Sequence, residues 1–166
     1  MKMGKYIPLT FFILLVALLG YKTINTKPDN IQLVQNLYFD ASKLKSAINN
    51  QPIIHPNNKY ILHVCSSWCT TCKQNHYELI RLSNEKAIKI IGIIWQDKRE
   101  NIDKMLQKEG NPYYDLINAD EETIINLGIS AIPETFIVSK SNRVLLKFSG
   151  EIKEEELRHA FYTSNN

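Results

Sequence analysis

The chain opens on one solid apolar run and then breaks into short, alternating ones. Residues 6–21 carry no charged side chain, and within 9–19 (LTFFILLVALL) Thr10 is the lone polar residue. At about 1.5 Å per residue a helix over 6–21 covers roughly 24 Å. That is a little short of a ~30 Å hydrocarbon core. Tyr6 and Tyr21 at the ends, with Lys2, Lys5 and Lys22 able to snorkel, close the difference. The pattern predicts an uncleaved N-terminal transmembrane helix over 1–22. A cleaved signal peptide has the same basic start and apolar run, but Leu18-Leu19-Gly20 matches the small-residue cut site poorly. No Cys ends the run, which argues against a lipoprotein. Lys2 and Lys5 favour a cytoplasmic N-end, so the rest of the chain is expected outside. Residues 23–30, with Pro28, read as the tether.

Beyond the tether the pattern alternates between strand and helix. Residues 59–64 (KYILHV) are β-prone, and 88–95 (IKIIGIIW) form a nearly continuous apolar run, as a central strand covered on both faces requires. Residues 134–138 and 143–148 read as strands joined by the polar link 139–142, hence an antiparallel hairpin. A helix is expected over 70–82. Another is expected over 98–109, with Ile102, Met105 and Leu106 on one face and Gly110 as its stop. Asp120 can cap a short helix bearing Ile124 and Leu127. A last helix opens on Glu154-Glu155-Glu156, which suits the positive end of its dipole, and buries Leu157, Ala160 and Phe161. The order is strand, helix, strand, helix-rich insert, strand, strand, helix: an α/β sandwich with a mixed sheet.

Composition narrows the chemistry. The 166 residues make one domain beside the membrane segment. Twenty Lys+Arg against 17 Asp+Glu give +3, too balanced for a nucleic-acid binder. Three cysteines exclude a disulfide scaffold and leave room for one redox pair or one small metal site. His55, His63, His76 and His159 show no ligand spacing, and Asp115, Asp120, Glu121 and Glu122 read as a solvated acidic face.

The chemistry is expected at Trp68-Cys69-Thr70-Thr71-Cys72, a C-x-x-C directly after a strand and at a helix start. Cys69 would cap the helix, where free backbone N–H groups and the dipole favour a negative sulfur and lower its pKa below about 8.5. Cys72 lies one turn in, on the same face. Cys69 then attacks a substrate disulfide and Cys72 resolves the mixed disulfide. Trp68 would cover the apolar floor beside the sulfur. Two alternatives stand beside this reading. The pair could be an inert disulfide, although so small a loop braces little. It could also be half a zinc site, although zinc usually takes four protein ligands and no second pair exists. Sixty residues on, Ile132-Pro133 precedes a strand. A cis Pro133 would set its flanking backbone beside the cysteines, where exposed peptide groups can pair with an extended substrate. A plain trans proline at a strand start is the alternative.

These residues resemble a known family. Trp-Cys-x-x-Cys after a strand and 132–138 (IPETFIV) are similar to thioredoxin-fold proteins. The particular resemblance is to the thiol:disulfide interchange proteins of cytochrome c maturation, DsbE/CcmG. It also rests on 91–97 (IGIIWQD), 110–113 (GNPY) and 127–136 (LGISAIPETF), and covers roughly 30–160. The resemblance implies a thioredoxin-like domain over 31–166, carried in the periplasm on an inner-membrane anchor. It implies a reductant that keeps the haem-attachment cysteines of apocytochrome c, or a maturation partner, reduced. Electrons would come from a transmembrane thiol transporter of the DsbD or CcdA type. No cofactor is implied beyond the Cys69/Cys72 dithiol. A general ResA/TlpA-like extracytoplasmic reductase is the neighbouring reading.

The chain departs from the family pattern in places. Thr70-Thr71 stand between the cysteines where Gly-Pro or Pro-Thr is common, and Asn75 stands where a Glu is usual. Cys65 replaces a large aromatic. With Cys69 it forms a C-x-x-x-C, the spacing of Sco-type copper chaperones, so copper delivery is the alternative from another class. As a residue ending an apolar strand, Cys65 is expected to be a small buried hydrophobe. Glu134 is expected either to sit on the surface or to lie near Cys69, disfavour the thiolate and make the couple more reducing.

Overall fold

The computed structural model describes residues 7–25, 30–34, 36–39, 44–53 and 56–165. His55 and part of the tether, residues 26–29, lie outside them. The N-terminal run folds as helix α1, Ile7–Asn25, with Leu9, Phe11, Phe12 and Leu18 more than half exposed. The sequence predicts a membrane span here, yet among the described residues no helix is long and apolar enough to cross a membrane.

The strands are β1 (Ile31–Leu33), β2 (Tyr60–Cys65), β3 (Ile90–Ile94), β4 (Asp115–Asn118), β5 (Glu134–Val138) and β6 (Val144–Ser149). They form one sheet in the order β1-β6-β5-β2-β3-β4. β2, β3 and β4 run parallel, while β5 is antiparallel to β2 and to β6, and β1 to β6. Helix α2 (Thr70–Ser83) follows β2, α3 (Arg99–Glu109) follows β3, α4 (Glu121–Asn126) follows β4, and α5 (Glu154–Thr163) ends the chain. The mixed α/β sandwich read from the sequence is therefore the fold.

The two faces of the sheet follow from strand alternation. Ile61, Ile90, Ile94 and Ile137 point to one side, against Leu79 and Leu82 of α2, Ile102 of α3, and Leu157 and Phe161 of α5. Tyr60, Leu62, Val64, Ile91, Ile93, Phe136 and Val138 point to the other, against Ile124 of α4 with Phe39 and Ile53. The two parallel crossovers place α2 and α3 on the same side, as right-handed connections require. Covered on both faces, β2, β3 and β5 are buried throughout; β3 is apolar along its length, while β2 and β5 also bury His63, Glu134 and Thr135.

The sequence reading needs two corrections. The helix-rich insert contains a strand, β4, which pairs Ile91–Ile94 with Asp115–Asn118. Its four residues offer Leu116 and Ile117 as apolar signal, too little to announce an edge strand. Asp115 consequently does not belong to a solvated acidic face. It sits in β4 and accepts hydrogen bonds from Ser46 Oγ and the Leu116 amide. Asp120 does cap α4, accepting from the Thr123 amide at 2.8 Å.

Candidate active site

Cys69 is the N-cap of α2. Its backbone is extended, and its sulfur accepts the Cys72 amide at 3.1 Å. The two cysteines form a disulfide with Cα atoms 5.2 Å apart. Both are shielded, Cys72 more than Cys69 (3% against 8% exposed). Reduction leaves the Cys69 sulfur facing an N–H that has no helical partner, and the positive end of the helix dipole lies along the same axis. Both favour a thiolate on Cys69 over one on Cys72.

The loop leading to Cys69 is stapled residue by residue to the turn after β3. Ser66 Oγ donates to the Trp95 carbonyl, the Ser67 amide to Asp97 Oδ2 at 2.6 Å, and Trp68 Nε1 to the Gln96 carbonyl at 3.0 Å. Asp97 also accepts from Lys98 N and Asn101 Nδ2. Partial burial pushes its carboxyl pKa up, but the bonds from Ser67, Asn101 and Lys98 outweigh that and hold it below its ordinary value. Trp68, one residue before Cys69, is 58% exposed, with its indole nitrogen anchored to the Gln96 carbonyl.

The Ile132–Pro133 peptide is cis. Ile132 packs against the cores on both faces of the sheet, one of which includes Cys69 and Cys72. β5, which follows Pro133, pairs with β2, which precedes the cysteines: Glu134 is in register with Val64. Glu134 is buried, not on the surface. It points with Phe136 and Val138 toward the α4 side, pairs with Lys147 Nζ at 2.8 Å and accepts from Ser130 Oγ at 3.1 Å. Lys147 also donates to the Gly128 carbonyl. Glu134 thus braces the 128–133 loop, with its charge paired to Lys147.

Behind the disulfide lies a buried polar group of side chains that the sequence did not single out as a unit. Cys65 ends β2 at 1% exposure, with its sulfur 3.5 Å from Tyr113 Oη. Burial pushes the Cys65 pKa up to about 11; Tyr113 opposes the shift and Asp97 adds to it. His63 Nδ1 pairs with Thr135 Oγ1 at 2.9 Å, and its Nε2 has no partner. Burial, reinforced by repulsion from His76, pushes its pKa down to about 3. His76, on α2, packs its ring against Tyr113, and neither ring nitrogen makes a well-formed hydrogen bond. Burial lowers its pKa too, against the pull of Glu109 and the carbonyls of Gly110 and Glu109. Among the described residues no three His, Cys, Asp or Glu side chains come together as a metal would require. His159 stands exposed on α5.

A buried dithiol at a helix N-terminus, on a thioredoxin-like sheet with a cis proline beside it, makes the chain a thiol–disulfide oxidoreductase. The Redoxin family matches residues 40–162. The thiol:disulfide interchange protein DsbE of Allochromatium vinosum is 31% identical over 165 residues, spanning 88% of this chain and 83% of its own length. DsbE of Yersinia pestis is 27% identical over 160 residues, spanning 90% and 85%. A DsbF homologue from Corynebacterium diphtheriae, at 16% identity, shares the fold with a TM-score of 0.68 over 83% of this chain and 96% of that one. This chain belongs to the Redoxin family, as a DsbE-type thiol:disulfide interchange protein.

Of the site residues read from the sequence, Cys69, Cys72, Trp68 and Pro133 gather at one end of the sheet, whereas Glu134 turns to the other face. Sequence reasoning gave no role to Asp97, which anchors the Ser67 amide in the loop before Cys69. Its signal was its place as the first acid after the central strand.

Proposed function

We propose that this protein is the extracytoplasmic reductant of cytochrome c maturation, held at the inner membrane by α1 with its redox domain in the periplasm. The observation that carries the reading is the placement of Cys69: at the cap of α2, bonded to the Cys72 amide, and next to the cis-proline segment. The reduced Cys69 thiolate attacks one sulfur of a disulfide in apocytochrome c or in a maturation partner. That S–S bond breaks and a mixed disulfide forms. Cys72 then attacks Cys69, closes the Cys69–Cys72 disulfide and expels the substrate as a dithiol. Two electrons pass to the substrate; the Cys72 proton ends on the departing sulfur, and the proton that Cys69 gave up to solvent is taken back by the other substrate sulfur. No further cofactor is required, because the dithiol carries both electrons. A transmembrane thiol reductant of the DsbD or CcdA type restores it. The anchor reading is supported by the exposed apolar side chains of α1 and by the lysines that flank it.

The reduction potential of the Cys69–Cys72 couple tests the proposal. A value at or below about −270 mV fits a dedicated reductant, and one near −120 mV marks an oxidant and ends the reading. Selectivity is measured next, with an oxidised Cys-x-x-Cys-His peptide against unrelated disulfides. Equal kcat/KM for both favours a general ResA/TlpA-like reductase.

A further inference from the structure

Asn75 is fully buried on α2, three residues beyond Cys72 and on the same helix face. Its side chain is used at both ends. Nδ2 donates to the Gly150 carbonyl at 2.9 Å, and Oδ1 accepts the Ile152 amide at 3.1 Å. One turn further along α2, Glu78 accepts the Glu154 amide at 2.9 Å. Helix α2 therefore grips the segment between β6 and α5 at three backbone points. The same segment reaches the other half of the site, because the Gly150 amide donates to the Pro133 carbonyl at 2.9 Å. Gly150 makes this turn at φ +84, a backbone conformation that side-chain-bearing residues rarely adopt.

We propose that Asn75 is a positioning residue: it latches the redox helix, through Gly150, to the cis-proline segment, and so fixes the groove in which a polypeptide disulfide meets Cys69. A neutral amide suits this task because it must donate to a carbonyl and accept from an amide at once, which a carboxylate cannot do. Asn75 touches neither substrate nor sulfur. It acts by holding Gly150, and Gly150 by holding Pro133. The inference rests on the reading that the substrate is an extended polypeptide laid along Pro133.

The test compares two disulfide-exchange reactions in the full chain. Reduction of the Cys69–Cys72 disulfide by dithiothreitol needs the sulfurs but no groove; reduction of an oxidised Cys-x-x-Cys-His peptide needs both. In Asn75→Ala the dithiothreitol rate stays within about twofold, while kcat/KM for the peptide falls about five- to tenfold, mainly through KM, the size that loss of the Gly150 bond alone implies. Asn75→Leu, close to Asn in volume and without either polar atom, shows the same split. Equal losses in both reactions, or none in either, overturn the latch. Hydrogen exchange in the unsubstituted chain supplies a readout independent of how the variants fold. The Gly150 and Ile152 amides exchange as slowly as those of β6; fast exchange at Gly150 overturns the proposal. An unsubstituted chain that exchanges with dithiothreitol but not with the peptide ends the polypeptide-substrate reading instead, and exchange protection then judges the latch alone.

Discussion

Cys65 and Cys69 are four residues apart, both nearly inaccessible, and chemically opposite. Cys65 is the last residue of β2, where its carbonyl accepts the Trp95 amide and its sulfur meets a tyrosine hydroxyl; its pKa is pushed up to about 11. Cys69 lies four residues on, at a helix cap, where an unclaimed amide points at its sulfur. Burial is nearly the same for both, at 1% and 8%. What separates an inert thiol from a reactive one is the element it belongs to: a helix start supplies free N–H donors, and a strand spends its own on the sheet.

The largest test of that contrast is substitution at the reactive pair. Cys69→Ser abolishes exchange even though Cys65 remains, and Cys72→Ser traps a mixed disulfide on Cys69, visible by mass spectrometry under non-reducing conditions. Residual turnover through Cys65 would break the comparison outright. The next effect is expected at Gly92, whose missing side chain leaves room for Tyr113. A Cβ there would meet Leu116 Cδ2 at 2.6 Å and Tyr113 Cδ1 at 2.9 Å. Gly92→Ala should cost about 1–3 kcal/mol in a urea titration.

Acid gives the third effect. His63 takes up a proton near pH 6.5 when unfolded but only at about pH 3 when folded. The unfolded state therefore binds more protons in that interval, and stability falls as the pH drops below about 6.5, by about 1.4 kcal/mol per unit. His76, lowered as well, adds in the same direction. Urea midpoints between pH 7 and 5 measure the slope, and His63→Gln should flatten it; an unchanged slope assigns the acid response elsewhere. The smallest effect sharpens the contrast from the inert side. Cys65→Ala should cost about 1 kcal/mol of stability and leave peptide reduction within about twofold, or ~0.4 kcal/mol on the barrier.

The sequence made some of this legible and hid the rest for physical reasons. β3 announced itself because a strand covered on both faces is apolar along its length, β2 by its β-prone run, and the β5–β6 hairpin by two such runs about a four-residue polar link. The redox pair did so because C-x-x-C at a strand-to-helix junction is spacing with a mechanism. β4 stayed silent because an edge strand of four residues needs little apolar content. Asp97 and Asn75 could be noticed in the sequence, but their roles could not be read there: each bonds backbone groups of a distant segment, and a hydrogen bond from a side chain to a backbone leaves no periodicity. Glu134 was legible as a residue worth noticing, but its partner Lys147 sits on a different strand, and only the β5–β6 pairing brings the two charges together.

The pairing of β2 with β5 also sets a clock. The wall that carries Pro133 is encoded 64 residues after Cys69, by subtraction of their positions. At roughly 5–20 residues per second, synthesis of that interval takes on the order of 3–13 s. Throughout it the two cysteines are already made while the strand that completes their groove is not. For those seconds the nascent chain carries a reactive pair of thiols with no selectivity, open to any oxidant or cysteine it meets. Discrimination between partners arrives only when β5 folds onto β2.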